Sequence, residues 1–221
     1  MKAIVLSRTG APSVLEYVDT PTPRPQPGEV LVKADTIGVS RPELLVRRGT
    51  YPWMPPLPAI PGIELAGTVA ELGAGVGRFK AGDKVYVTAR ELPVRAGCYA
   101  EYIAVPERAL FALPGGGDLE AAACLSNYQV AWHLLHTAAR AASGQSVLIG
   151  QASGGLGSAA VQLAKLAGLT AIALACAASP AWSTSRPASS RQLCSARLAK
   201  PRPGSTTIWS RLTPAASARS E

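Results

Sequence analysis

The chain has 221 residues, 48% of them apolar, with slightly positive mean hydropathy, so it can bury a sizeable core in one large or two small domains. No apolar run reaches the roughly 18 residues that a membrane-crossing helix needs, and Met1–Leu6 is too short for a signal peptide, so a cytoplasmic protein without a membrane partner is expected. The net charge of +8 is not a nucleic-acid signature, because residues 176–221 hold seven of the 22 lysines and arginines and only one acid, with no aromatic interleaving.

Residues 1–112 read as mainly β. Short runs rich in β-branched and aromatic residues, punctuated by Gly and Pro, predict strands over Lys2–Leu6, Val14–Val18, Glu29–Ile37, Glu64–Leu72, Lys84–Val87, Tyr99–Val105 and Ala109–Ala112. Arg41–Arg48 is expected to be one short helix. Composition turns helical from Asp118, with a break expected at Asn127 and a second helix carrying Trp132, Leu135 and Ala139. Ser146–Gly150 then predicts a buried strand, Gln151–Gly157 a loop, Leu156–Ala167 a helix, Gly168 its C-terminal stop, and Thr170–Ala175 the next strand.

After about Ala175 the character changes. Residues 176–221 hold ten serines, five prolines and no acid before Glu221, and no helical or strand periodicity survives. Little stable structure is expected there. The domains implied are 1–117, 118–175 and a basic tail, 176–221. Cys98, Cys124, Cys176 and Cys194 form neither a C-x-x-C pair nor a Cys/His cluster, so no metal site and no disulfide framework is expected. His133 and His136 stand three apart with no third ligand and read as ordinary helical histidines.

Ala152-Ser153-Gly154-Gly155-Leu156-Gly157 is a G-x-G-x-x-G motif with alanine in the first position, set between a predicted strand and a predicted helix. In that setting glycines let the backbone approach a pyrophosphate, and the helix N-terminus offers it free N–H groups and a positive dipole end. No acidic residue follows near Ala173–Ala178 to bind a ribose hydroxyl, so NAD and NADP are not told apart by that position.

Four further stretches, taken with this loop, resemble the medium-chain dehydrogenase/reductase superfamily, in its zinc-independent quinone oxidoreductase-like branch. They are Gly38–Glu43 running on to Arg47–Pro52, Pro61-Gly62-Ile63-Glu64-Leu65-Ala66-Gly67, Phe79-Lys80-Ala81-Gly82-Asp83-Lys84-Val85, and Gly97-Cys98-Tyr99-Ala100-Glu101-Tyr102. The resemblance spans about residues 1–175. It implies a GroES-like, partly open β-barrel followed by an incomplete Rossmann doubly wound domain, with the active site in the cleft between them. It also implies NADPH as cofactor, with NADH as the alternative, and a small-molecule quinone or enone as substrate; homo-oligomerisation is left open. Zinc members carry a catalytic Cys and His at the positions of Ser40 and Ile63, so a metal-free reductase is implied. Tyr51 and Ser40 are the catalytic candidates on the acceptor side, and Asn127 with Ala152, Ser153, Gly154, Gly155, Leu156 and Gly157 would hold the cofactor. Ser40 stands where such relatives often carry Asn, and Val130 where many have Thr.

A 2-enoyl thioester reductase and a non-catalytic GroES-like remnant stay open as alternatives. A doubly wound domain needs about six strands, and this sequence supplies two before the Ser/Arg/Pro-rich tail. A truncated gene or a shifted reading frame is therefore expected, with activity impaired and cofactor bound weakly. Translation of the coding DNA in the other two frames should reveal a family-like continuation past Ala175; its absence from every frame would count against that expectation.

Overall fold

The computed structural model describes residues 1–122 and 124–174, which form two compact units, Met1–Ser126 and a second from Asn127 onward. The predicted tail and its proposed origin lie outside the described residues.

The first unit opens with β1 (Lys2–Leu6) and β2 (Leu15–Asp19), an antiparallel pair. Next come β3 (Glu29–Ile37), α1 (Arg41–Arg48), β4 (Glu64–Leu72), β5 (Lys84–Thr88), β6 (Tyr102–Pro106) and β7 (Leu110–Ala112). The last five strands make one antiparallel sheet in the order β6-β3-β4-β5-β7. Two register shifts between β3 and β4, at Leu31/Val32 and Ala34/Thr36, bend it. Isolated bridges from Ala3 to Ala100 and from Leu6 to Ala59 tie β1 to the segments before β6 and β4. These features make the GroES-like, partly open barrel that the sequence predicts.

Alternation explains which side is core. Val30 and Val32 on β3, Leu65 and Val69 on β4, Val85 and Val87 on β5, and Ile103 and Val105 on β6 all point into one buried cluster. Successive side chains of a strand face opposite ways, so each strand contributes every second residue. The predicted strands agree with those found except at their ends: the second starts at Leu15, and the sixth starts at Tyr102 rather than Tyr99. Tyr99 and Ala100 instead hydrogen-bond and bridge towards β1 and the 61–62 turn.

Helix α2 (Leu119–Ala122) packs by Ala122 on Ala66, with Leu113, Leu119 and Leu125 around them. Packing therefore carries α2 and the first two residues of α3 (Leu125–Trp132) with the barrel, although composition turns helical already at 118. The expected break at Asn127 is not there: Asn127 lies inside α3, and the chain turns at Cys124 instead. An asparagine breaks a helix when its amide bonds its own backbone; the amide of this one lies against Gly155.

In the second unit α3 runs on into a π-helical turn, His133–Ala138. Then β8 (Ser146–Gly150), α4 (Gly155–Leu166) and β9 (Thr170–Leu174) form a parallel β-α-β unit, with Val147 paired to Ala171 and Ile149 to Ala173. The small side of α4 is its buried side: Ala159, Ala160 and Ala164 cluster with Val147, Ile149, Ala131 and Leu135, and Gly157 is buried against Gln151 and Ala152. Leu156 and Leu166 point outward. Small residues let the helix axis approach the sheet closely. His133 is exposed and His136 stacks on Trp132 at 4.0 Å.

Leu65 is fully buried at the centre of the barrel core. Leu65→Ala is expected to cost about 2–5 kcal/mol, read as a lowered urea midpoint with unchanged slope; a shift near zero would contradict the packing described.

Candidate active site

The acceptor-side candidates flank α1. Ser40 is the N-cap of this helix and Tyr51 follows its C-terminal end, so they stand at opposite ends of the same element. Ser40 and Glu43 form a capping box, the S-x-x-E arrangement in which two side chains satisfy helix-end N–H groups reciprocally. The Ser40 backbone N–H donates to Glu43 Oε2 at 3.0 Å, and the Ser40 hydroxyl donates to the same oxygen at 2.7 Å. The other oxygen of Glu43 accepts the backbone N–H of Ile63 at 3.3 Å. Glu43 thus joins Ser40 to Ile63 although it is only 6% exposed. Burial pushes its carboxyl above the usual range, while the donated hydrogen bonds pull the other way.

Tyr51 is half-buried against Leu6, Val14 and Val46 and meets the Trp53 ring edge-on at 5.6 Å. The Arg95 guanidinium lies 4.7 Å from the Trp53 ring centroid.

Behind Ile63 a second carboxylate, Glu64, is 2% exposed. Its Oε2 accepts the Tyr86 hydroxyl at 3.1 Å and the Ser126 backbone N–H at 2.9 Å, and the Ser126 and Tyr86 hydroxyls lie 3.0 Å apart. Burial raises the Tyr86 phenol, and the neighbouring Glu64 raises it further. Cys98, fully buried, has its thiol raised by burial and then by the charges of Glu43 and Glu64. Tyr99 is raised for the same reasons, and its buried hydroxyl has no hydrogen-bond partner. This acidic, hydroxyl-rich layer was not singled out from sequence. The Ser40-x-x-Glu43 spacing signals its first part; the contact of Tyr86 with Ser126, 40 residues apart, has no local signal.

The cofactor-side candidates come together in the second unit. Gln151 leaves β8 with φ 53, a conformation unusual for a residue with a side chain. Gly154 N–H returns to the Gln151 carbonyl at 2.9 Å, and Ala152 N–H reaches the Leu174 carbonyl at 2.9 Å, fixing the loop to the end of β9. Ser153, Gly154, Gly155 and Leu156 are exposed, and Gly154 is the N-cap of α4. A Cβ on Gly157 would lie 2.6 Å from the Ala152 Cα and closer still to the Gln151 carbonyl oxygen, so only glycine fits there. A Cβ on Gly155 would lie 2.8 Å from Asn127 Nδ2, which places the Asn127 amide against the loop. At Gly154 a Cβ would make only an ordinary contact, 3.4 Å from Gln151 O. Nothing within the fold demands that glycine.

The two halves define a class: a GroES-like barrel followed by a strand–glycine loop–helix unit of the kind that cradles dinucleotide phosphates. Residues 26–115 match the alcohol dehydrogenase GroES-like domain. The quinone oxidoreductase of Lama guanicoe is 38% identical over 167 residues, 75% of this chain and 49% of that protein. A quinone oxidoreductase structure from Pseudomonas syringae superposes with a TM-score of 0.71 at 36% identity, covering 78% of this chain and 52% of that one. The Escherichia coli quinone oxidoreductase complexed with NADPH gives a TM-score of 0.71 at 29% identity, covering 79% and 52%. The described residues are thus similar to quinone oxidoreductases of the medium-chain dehydrogenase/reductase superfamily, and residues 26–115 carry the GroES-like domain of that group. The chain spans about half the length of the curated relatives it matches. Among the described residues no helix is long and apolar enough to cross a membrane.

Tyr86→Phe removes a donor from a carboxylate that has almost no access to water. The expected loss is about 1–3 kcal/mol, measured as a urea-midpoint shift at neutral pH; a neutral outcome would mean that Glu64 does not depend on the phenol.

Proposed function

We propose that this chain carries the cofactor loop and the acceptor-side residues of an NADPH-dependent reductase of quinones or α,β-unsaturated carbonyls, working by hydride transfer without a metal. The observation that carries the reading is the loop built by Gln151–Gly157, with Gly157 sterically obligatory and Asn127 against Gly155. The exposed Ser153–Leu156 stretch and the N-terminus of α4 suit a pyrophosphate, and Asn127 suits the neighbouring polar part of the same dinucleotide. When bound, NADPH supplies the hydride.

The chain's own residues bind, orient and stabilise. The loop fixes the phosphates by backbone N–H groups, which cost no reorganisation. Tyr51 presents a half-buried aromatic ring and a hydroxyl to a flat, electron-poor acceptor. Ser40 lies at the position from which zinc relatives offer a thiolate, but its hydroxyl is engaged by Glu43, and Ile63 has a hydrocarbon side chain. Neither is a metal ligand, which supports polarisation of the acceptor by hydrogen bonds in place of a Lewis acid.

Turnover by this chain is expected to be slow. On β9, Ile172 and Leu174 are 40% and 37% exposed, and each large apolar side chain left uncovered forfeits up to about 1.5–3 kcal/mol. That same exposure favours the second reading, a non-catalytic GroES-like remnant. The thioester-reductase alternative shares every residue described and differs only in substrate.

A fluorescence titration of the purified chain with NADPH, followed by NADPH oxidation with a simple quinone, separates these readings. Weak but saturable binding and slow oxidation are expected, both lost in Gly157→Leu while the barrel stays folded. A soluble chain that neither binds nor oxidises NADPH would establish the remnant, and preference for an enoyl thioester over quinone would establish the alternative enzyme.

A further inference from the structure

Glu43 is a buried carboxyl with an unusual set of neighbours. It forms no salt bridge among the described residues. The titratable groups around it are Cys98 and Tyr99, on which Glu43 and Glu64 both act; none of these is cationic. On its own helix Arg47 stands one turn further on, also without a salt bridge. The Glu43 carboxyl is met by hydrogen bonds: two from Ser40, one from Ile63 and one from its own backbone N–H. Of these donors only the Ser40 hydroxyl can move its proton. Ser40 is half-buried, and its hydroxyl is bonded directly to the nearly inaccessible carboxyl.

We propose that Glu43 and Ser40 are a proton-delivery pair for the reduced acceptor, with Glu43 holding the proton and Ser40 Oγ passing it outward. The proposal rests on the reductase reading above. Hydride addition to a quinone or enone leaves one negative charge on the acceptor, as a hydroquinone monoanion or an enolate. The Ser40 O–H bond breaks and its proton goes to that oxygen. The Glu43 O–H bond breaks in the same movement and its proton forms the new Ser40 O–H bond. Glu43 is left as the carboxylate seen accepting from Ser40, and a proton from water restores it. No electron passes through either residue, and the hydride comes from the cofactor. With Glu43 ionised the Ser40 proton is committed inward. With Glu43 protonated, the hydrogen bond between them reverses and Ser40 turns its proton outward. Burial, by favouring the protonated carboxyl, prepares the second arrangement. Ser40 would be the group that touches substrate; Glu43 acts through it and is a positioning and proton-holding residue.

Two measurements on the full chain test this. The first needs no turnover. A carboxyl whose folded pKa lies above its unfolded value, 4.5, contributes stability that is complete below that value and is lost as pH rises through the folded pKa. The urea-midpoint advantage of wild type over Glu43→Gln should therefore shrink as pH rises from 4 to 8. An advantage that is flat or grows with pH overturns the proposal. The second measurement is the pH profile of NADPH-dependent quinone reduction. Ser40→Ala should lower kcat on the order of 10²-fold, and Ser40→Thr, which keeps the hydroxyl, should restore most of it. The wild-type rate should fall as pH rises through the Glu43 titration, and this limb should vanish in Glu43→Gln. Ser40→Ala with normal kcat, or an unchanged limb in Glu43→Gln, overturns the proposal and leaves the reductase reading intact. Absence of any quinone reduction by wild type, with or without NADPH binding, overturns the reductase reading and the delivery step with it.

Discussion

A carboxylate taken out of water has to be met by donors, and this fold buries two at adjoining positions. Glu43 and Glu64 between them collect the Ser40 hydroxyl and N–H, the Ile63 N–H, the Tyr86 hydroxyl and the Ser126 N–H. These donors come from the cap of α1, the entry to β4, the middle of β5 and the start of α3. An unpaired buried charge costs several kcal/mol, so four elements that share no sequence neighbourhood are held to one arrangement. The acceptor-side candidates inherit their placement from it: Ser40 is bonded to Glu43 directly, and Tyr51 follows the helix that Glu43 caps.

The second unit is fixed by a different rule, that of close approach. Gly157 and the alanines of α4 leave no side chain large enough to hold helix and strand apart. The cost is a thin core. The loop is defined sharply by backbone contacts, while the outer residues of β9 stay exposed. Precise local geometry and modest apolar burial coexist here.

Much of this was legible in the residues themselves. Alternation placed the barrel strands, and the strand–glycine–helix order placed the glycine loop, because both depend on short-range periodicity and on Gly and Pro. Strand ends were less legible: Tyr99 has the composition of a strand, yet its backbone bonds go to Pro61 and Ile4. Asn127 lies inside α3 and not at a break, and its amide sits against Gly155, 28 residues further on, which no local pattern signals. Tyr86 and Ser126 could not have been linked to Glu64 from sequence, since each is ordinary in its own segment and only the fold brings them together. The Ser40–Glu43 capping box was readable from its spacing, but the reach of Glu43 on to Ile63 was not.

Cys98 turns the buried acids to a practical use. Its sulfur is walled off from solvent, and two nearby negative charges oppose thiolate formation, so the intact barrel should resist alkylating reagents at this position even under mildly alkaline conditions. Modification there would register only those molecules whose sheet has transiently opened. The protein thus contains its own clock for barrel breathing, readable residue by residue by peptide mapping, with exposed Cys124 marking how quickly an unprotected thiol in the same chain reacts.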